Sequence, residues 1–373
     1  YQRQWRICSE ILGLTSAEVL GDSLPLYSSK SFFQEEIHKI LSPAVTRWLS
    51  LKSCVDRVIE QFQPLKAYLL TASVEDPSNT VDSMLAAMNN QFIYLYLEFM
   101  SYVLGMLTDF NVMFQSETPL LHRLRPEVHK MLQDLCTNYM DLNYIKNTPI
   151  MSIEHSNPRH FLQLEQIYLG IQATETFNEL KKNAEKKDIE VFLKSILSFY
   201  VELVTQIKSR FDFSDEVFDV LSVLEPKSAQ TFKVRSLAHV INRFPVLKKV
   251  VDVQKLDNQW KSHALLDFKE HKLDANESAM QYWKAVFSLK TVAGDAMFTE
   301  IQKVFNLLFI LPFSNSSVER IFSELKHCKT NDRNKLKTET VVSLMGTREG
   351  IRNSGGCVKF EPTKEMLTRN IWQ

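Results

Sequence analysis

From Thr46 onward the apolar residues of this 373-residue chain return every three or four positions, and that period is what most limits the folds open to it. In "RWLSLKSCVDRVIEQFQPLKAYLL", Leu51, Val55, Val58, Ile59 and Phe62 share one side of a 3.6-residue helix. No stretch sustains the two-residue alternation of a half-buried strand. Glycine, the cheapest way to break a helix, occurs only 9 times, too sparsely for a many-stranded architecture rich in tight turns. The pattern therefore predicts a mainly α fold with few or no strands.

Start and stop signals divide the chain further. Long helices are predicted over residues 80–115, 119–146, 157–184 and 186–211. The third has Asn157 as cap and Pro158 at the first helical position, where a missing N–H costs nothing. Pro64 kinks or splits the run that follows Thr46. The charge run "KKNAEKKDIE" at 181–190 reads as a solvated helix end or surface turn. Breaks fall at Glu225-Pro226 and Phe244-Pro245, and a polar segment, "LDFKEHKLDANESA", precedes the helix of Trp283. The first 45 residues offer two short helical candidates, "ILGLTSAEVL" and "SFFQEEIHKIL", around a loop rich in Gly, Pro and Ser.

Lys plus Arg and Asp plus Glu both number 44, so no global field attracts nucleic acid, and any such binding needs a local patch. The 5 cysteines are scattered, with no Cys-x-x-Cys, and no His spacing completes a zinc site; no metal site is predicted from them. Free thiols in a reducing compartment are expected. The most apolar run, Gln91 to Phe114, contains Glu98 and Asp109, which argues for a core helix and against a membrane span. The N-terminus lacks both an initiator Met and the apolar segment of a signal peptide, so the chain is expected to begin inside a longer protein.

The segment "LPFSNSSVERIFSELKHCKTNDRNKLKTETVVSLM", Leu311 to Met345, carries most of the functional information. Ser316 and Glu319 satisfy the spacing of a capping box, and Phe313 with Val318 would staple a start at Ser314 instead. Val318, Ile321, Phe322 and Leu325 then form an apolar stripe with Glu319 at its edge. Leu336 and Leu344 add to the apolar surface, and "KHCKTNDRNKLK" is net basic.

Pro312, Ser314, Asn315, Val318-Glu319-Arg320, Phe322-Ser323, Lys329-Thr330, Arg333-Asn334, Leu336 and Thr340 together resemble the C-terminal signature of hAT-superfamily DNA transposases. That signature is the hAT dimerisation region. "VTRWLSLKSCVDRVIEQFQPLKAYL" resembles the family's Thr-Arg-Trp segment, and "FQSETPLLHRL", "EPKSAQ" and "RFPVLKKVVDVQKLDNQW" are further echoes. The likeness extends from about residue 45 to the end and is nearest to animal transposase-derived proteins that carry BED-type zinc fingers upstream.

The resemblance implies a large all-helical insertion domain at 46–297 and a dimerisation region at 298–373. The latter would supply the C-terminal helices of a truncated RNase H-like core, with 1–45 as a remnant lead-in. It implies that Glu319 corresponds to the last of three metal-binding acids, and that a complete family member uses Mg2+ or Mn2+. It also implies that Trp48 stacks on a flipped base, where any base offers a π-face. Arg47, Arg320, Lys329 and Arg333 would contact DNA. Val318, Ile321, Phe322, Leu325, Leu336 and Leu344 would join two copies. The family's two upstream aspartates have no counterpart in 1–45, and one glutamate cannot assemble a two-metal site. The expectation is a nuclear, transposase-derived protein with no cofactor of its own, inactive as a nuclease. It would form homo-oligomers, touch no membrane and possess a surface open to DNA. Two other readings stand beside it: a helical interaction scaffold with no nucleic-acid role, and the C-terminal half of an active cut-and-paste transposase.

Overall fold

The computed structural model describes residues 48–366 apart from 76, 117, 331, 332 and 365. Arg47 and the two short helices expected in 1–45 lie outside these residues, as do the side chains of Trp48, Ser316 and Ser317. Among the described residues the fold is helical throughout, and β pairing is confined to the isolated bridges Met140–Phe161 and Lys290–Ala296. The mainly α expectation holds.

The chain divides into two compact units. One takes the residues up to Met113 together with Thr118–Leu311; the other takes Phe114–Glu117 and Pro312 onward. The larger unit opens with α1 (Trp48–Glu60), α2 (Phe62–Glu75), α3 (Asn79–Met88) and α4 (Ile93–Phe114). It continues with α5 (Leu121–Thr137), α6 (Leu142–Asn147), α7 (Ile171–Leu180) and α8 (Lys186–Arg210). The run after Thr46 splits at Gln61, which leaves Pro64 in the first turn of α2, where a proline is tolerated. No helix among the described residues is long and apolar enough to cross a membrane, and Glu98 of α4 is buried in protein. Burial raises the Glu98 carboxyl above its ordinary range.

Aromatic rings fill the space between α4, α5 and α8. Phe99 meets Tyr200 edge-on at 5.3 Å, Tyr96 meets Phe192 at 4.8 Å, and Tyr139 stacks on Tyr200 at 5.7 Å. The phenols of the stacked Tyr139–Tyr200 pair both find acceptors: Tyr200 donates to the carbonyl of Tyr168 and Tyr139 to that of His155. Paired in this way, a tyrosine can be buried without the cost of an orphan hydroxyl.

Three expected helices are shorter than the sequence suggests, the one over 119–146 breaking at 138–141 between α5 and α6. Asn157 does cap Pro158, but the helix is a single 3-10 turn, Pro158–His160, followed by another at Leu164–Gln166. Here the backbone bonds to a neighbour: Leu162 N–H donates to Tyr139 O and Tyr168 N–H to Asn138 O. These tertiary bonds replace the i to i−4 ladder. Gly170, at φ +93°, then re-aims the chain into α7, packed so closely that a Cβ would stand 2.8 Å from Tyr102. The predicted 80–115 helix is also interrupted, at 89–92, where Asn90 Oδ1 accepts from Phe92 N–H.

The rest of the larger unit is built from α9 (Val217–Val220), α10 (Pro226–Gln230), α11 (Ala238–Arg243), α12 (Val253–Ala264), α13 (Ala279–Phe287) and α14 (Thr299–Phe309). Trp260, Trp283 and Phe305 are fully buried at its centre, with the Trp283 and Phe305 rings 4.3 Å apart and nearly perpendicular. Both indoles are satisfied: Trp260 donates to Val234 O at 2.8 Å and Trp283 to Leu224 O at 2.9 Å. His263 is buried among these rings, its Nε2 2.8 Å from the Tyr282 hydroxyl, which also accepts from Gln230. Burial lowers the His263 pKa to about 4, so the ring is neutral at pH 7.

The smaller unit is a helical hairpin, α15 (Ser316–Cys328) and α16 (Thr338–Asn353). α16 ends in a Schellman turn: Gly356 N–H donates to Ile351 O and Gly355 N–H to Arg352 O, with both glycines at positive φ.

Candidate dimerisation face and basic loop

The sequence offers two ways to start α15, and the structure takes neither. Asn315 is the N-cap, with no capping hydrogen bond from its side chain, and Ser316 is already the first helical residue. The expected capping box between Ser316 and Glu319 is therefore absent. The staple fails too, since with Asn315 as the N-cap Phe313 lies one residue outside the staple position; its ring stacks on Phe114 with centroids 5.1 Å apart. Glu319 is exposed in the first turn, where its charge complements the helix dipole, and its backbone N–H donates to Asn315 O at 2.9 Å.

The stripe of α15 faces outward. Val318, Ile321 and Phe322 are 48, 53 and 59% exposed, and Leu325 is half-buried. Leu336 in the connecting loop is half-buried, and Leu344 of α16 is exposed, as is Val342, which the sequence reading passed over. Between the helices, Cys328 and Val341 are buried, and Arg352 bridges Glu324 of α15 and Glu349 of its own helix. The Arg352 guanidinium holds the Glu324 carboxyl below its ordinary range.

Arg320, Lys329 and Arg333 are all exposed, and Arg320 donates to the carbonyl of Gln115 at 3.4 Å. Lys326, Lys335 and Lys337 are exposed in the same stretch, so the α15–α16 loop carries more positive charge than the two residues singled out from sequence. Residues 312–373 hold 11 Lys and Arg against 7 Asp and Glu in an otherwise balanced chain, a signal readable by counting segment by segment. Trp48 opens α1. Among the described residues no three His, Cys, Asp or Glu side chains converge as metal ligands. The described residues around Glu319 thus do not make up the two-metal site that the family resemblance implies. The described cysteines, Cys54, Cys136, Cys328 and Cys357, are free thiols.

A helical protein that leaves the apolar side of a hairpin open to solvent is one built to associate. Residues 258–351 match the hAT family C-terminal dimerisation region, a match that takes in all of α15 and most of α16. The match also takes in α13, α14 and the second half of α12. No curated protein and no solved structure matches the chain.

Proposed function

We propose that this is a transposase-derived protein, related to animal BED-finger-type hAT elements, that pairs with a second copy through α15 and α16 and has no nuclease activity of its own. The observation that carries the reading is the outward-facing Val318, Ile321 and Phe322 within the dimerisation match. Leu325, Leu336 and Leu344 border them and complete the interface. Action in the nucleus follows from the proposed descent. Sedimentation of the chain should show a dimer, and Ile321→Asp or Phe322→Asp should give monomers. A monomeric unmodified chain at all accessible concentrations would sink the reading.

The basic loop favours a second activity on the same protein, contact with DNA phosphates by Lys329, Arg333 and their lysine neighbours, with Arg320 alongside. Its support is the charge surplus of residues 312–373. In this reading Arg47 and Trp48 meet DNA as the family resemblance implies.

A further inference from the structure

The smaller unit presents far more apolar surface than it covers. Among its described residues only Cys328 and Val341 are buried apolar residues, while Val318, Ile321, Phe322, Val342, Leu344 and Val358 are exposed. The core of residues 220–309 is the contrast, because there Trp260, Trp283, Phe305 and their neighbours are sealed completely. Helices of 13 and 16 residues, the lengths of α15 and α16, are marginal in water unless an apolar face is covered. The N-cap of α15, Asn315, makes no side-chain cap bond, and the Arg352–Glu324 ion pair between the two helices is open to solvent. Nothing in this inventory holds the hairpin folded by itself, because folding a small unit depends on the fraction of its surface it can hide.

We infer that the hairpin of α15 and α16 folds only as it pairs with the same hairpin of a second copy, so that dimerisation and ordering of this unit are one equilibrium. The inference rests on the dimer reading above and goes beyond it. The occupant is a second copy because the exposed stripe lies within the segment matched to a dimerisation region. The residues of α15 that meet the partner are the ones that would otherwise have to form a core. The larger unit, with its own sealed core, takes no part in this coupling.

The test is hydrogen exchange on the full chain, read by mass spectrometry at concentrations above and below the dissociation constant found by sedimentation. Amides of residues 316–353 are expected to exchange fast in the monomer and, at a total concentration 100 times the dissociation constant, where about 7% of the chain is still monomeric, about 15-fold more slowly. Amides of α12, α13 and α14 should be indifferent to concentration. Phe322→Asp should hold residues 316–353 in the fast-exchanging form at every concentration. A chain that dimerises while those amides are slow in both forms leaves the dimer standing and overturns the coupling alone. A chain that stays monomeric throughout overturns the dimer reading and the coupling with it.

Discussion

Gln259 of α12 caps a helix to which it does not belong: its Oε1 accepts the backbone N–H of Glu300, at the start of α14, at 2.8 Å. The same oxygen accepts from Ile301 N–H at 3.3 Å, while its amide donates to Thr299 Oγ1. α14 has Phe298 at its N-cap, which offers no side-chain acceptor, so a neighbouring helix supplies what the local sequence does not. Gln259→Ala should therefore cost about 1–2 kcal/mol. Chemical denaturation would measure the loss, and faster exchange at the Glu300 and Ile301 amides would locate it. Unchanged exchange there would show that the cap contributes nothing.

Acid should weaken the larger unit through its buried histidines. His263 and His122 both have pKa values lowered to about 4 from an ordinary 6.5, chiefly by burial. Glu225 stands 4.0 Å from His122, yet burial outweighs that distant, half-exposed carboxylate and the ring stays neutral. The unfolded chain binds a proton at each site near pH 6.5, before the folded chain does. The stabilising contribution of each neutral ring is thus full above pH 6.5 and is lost as pH falls through about 4. Each shift corresponds to roughly 3 kcal/mol. A stability–pH curve should slope downward over that interval, and His263→Gln should flatten it.

Tyr282→Phe removes the partner of His263 Nε2 and of Gln230 while leaving the ring in place. The expected loss is about 1–3 kcal/mol, because a buried polar nitrogen is left unsatisfied. A variant as stable as the parent would mean that water enters to replace the phenol.

Gly170→Ala should destabilise the chain by about 2 kcal/mol or more, since the new Cβ meets Tyr102 and the backbone is in a left-handed region. Thermal unfolding would report it. A silent substitution would indicate that Tyr102 can yield.

If the basic loop meets phosphate, Lys329→Glu with Arg333→Glu should lower affinity for duplex DNA of any sequence. The slope of log affinity against log salt should become shallower by about 2, close to one per lost contact. Equal slopes for parent and variant would remove these two residues from the interface.

Much of the fold was legible in the sequence where local signals and tertiary packing agree. The helix expected at 186–211 is found at Lys186–Arg210, preceded by the exposed turn that its charge run suggests. Agreement fails where a distant partner takes over the backbone. Asn157 and Pro158 announce a helix truthfully, but Tyr139 and Asn138 then capture the following amides and end it after one turn. At α15 the sequence supplied two candidate starts, and the helix instead begins after Asn315, with Phe313 stacked on Phe114, nearly two hundred residues apart. The apolar stripe was visible as a period; its exposure was not, because a period specifies a face and says nothing of what covers it.

The match to the dimerisation region runs from the sealed packing around Trp260 and Trp283 into the open hairpin of α15 and α16. One stretch of sequence thus answers to two kinds of selection. Change before residue 310 is limited by volume, since each side chain must fit neighbours on the same chain. If α15 and α16 pair two copies as proposed, change after residue 316 is limited by self-recognition: in a symmetric pair every substitution occurs twice, and a new side chain must tolerate its own image or its near neighbours. In that dimer, lineages of this protein could drift into separate pairing groups through α15 alone, while the body that carries the helix stays the same.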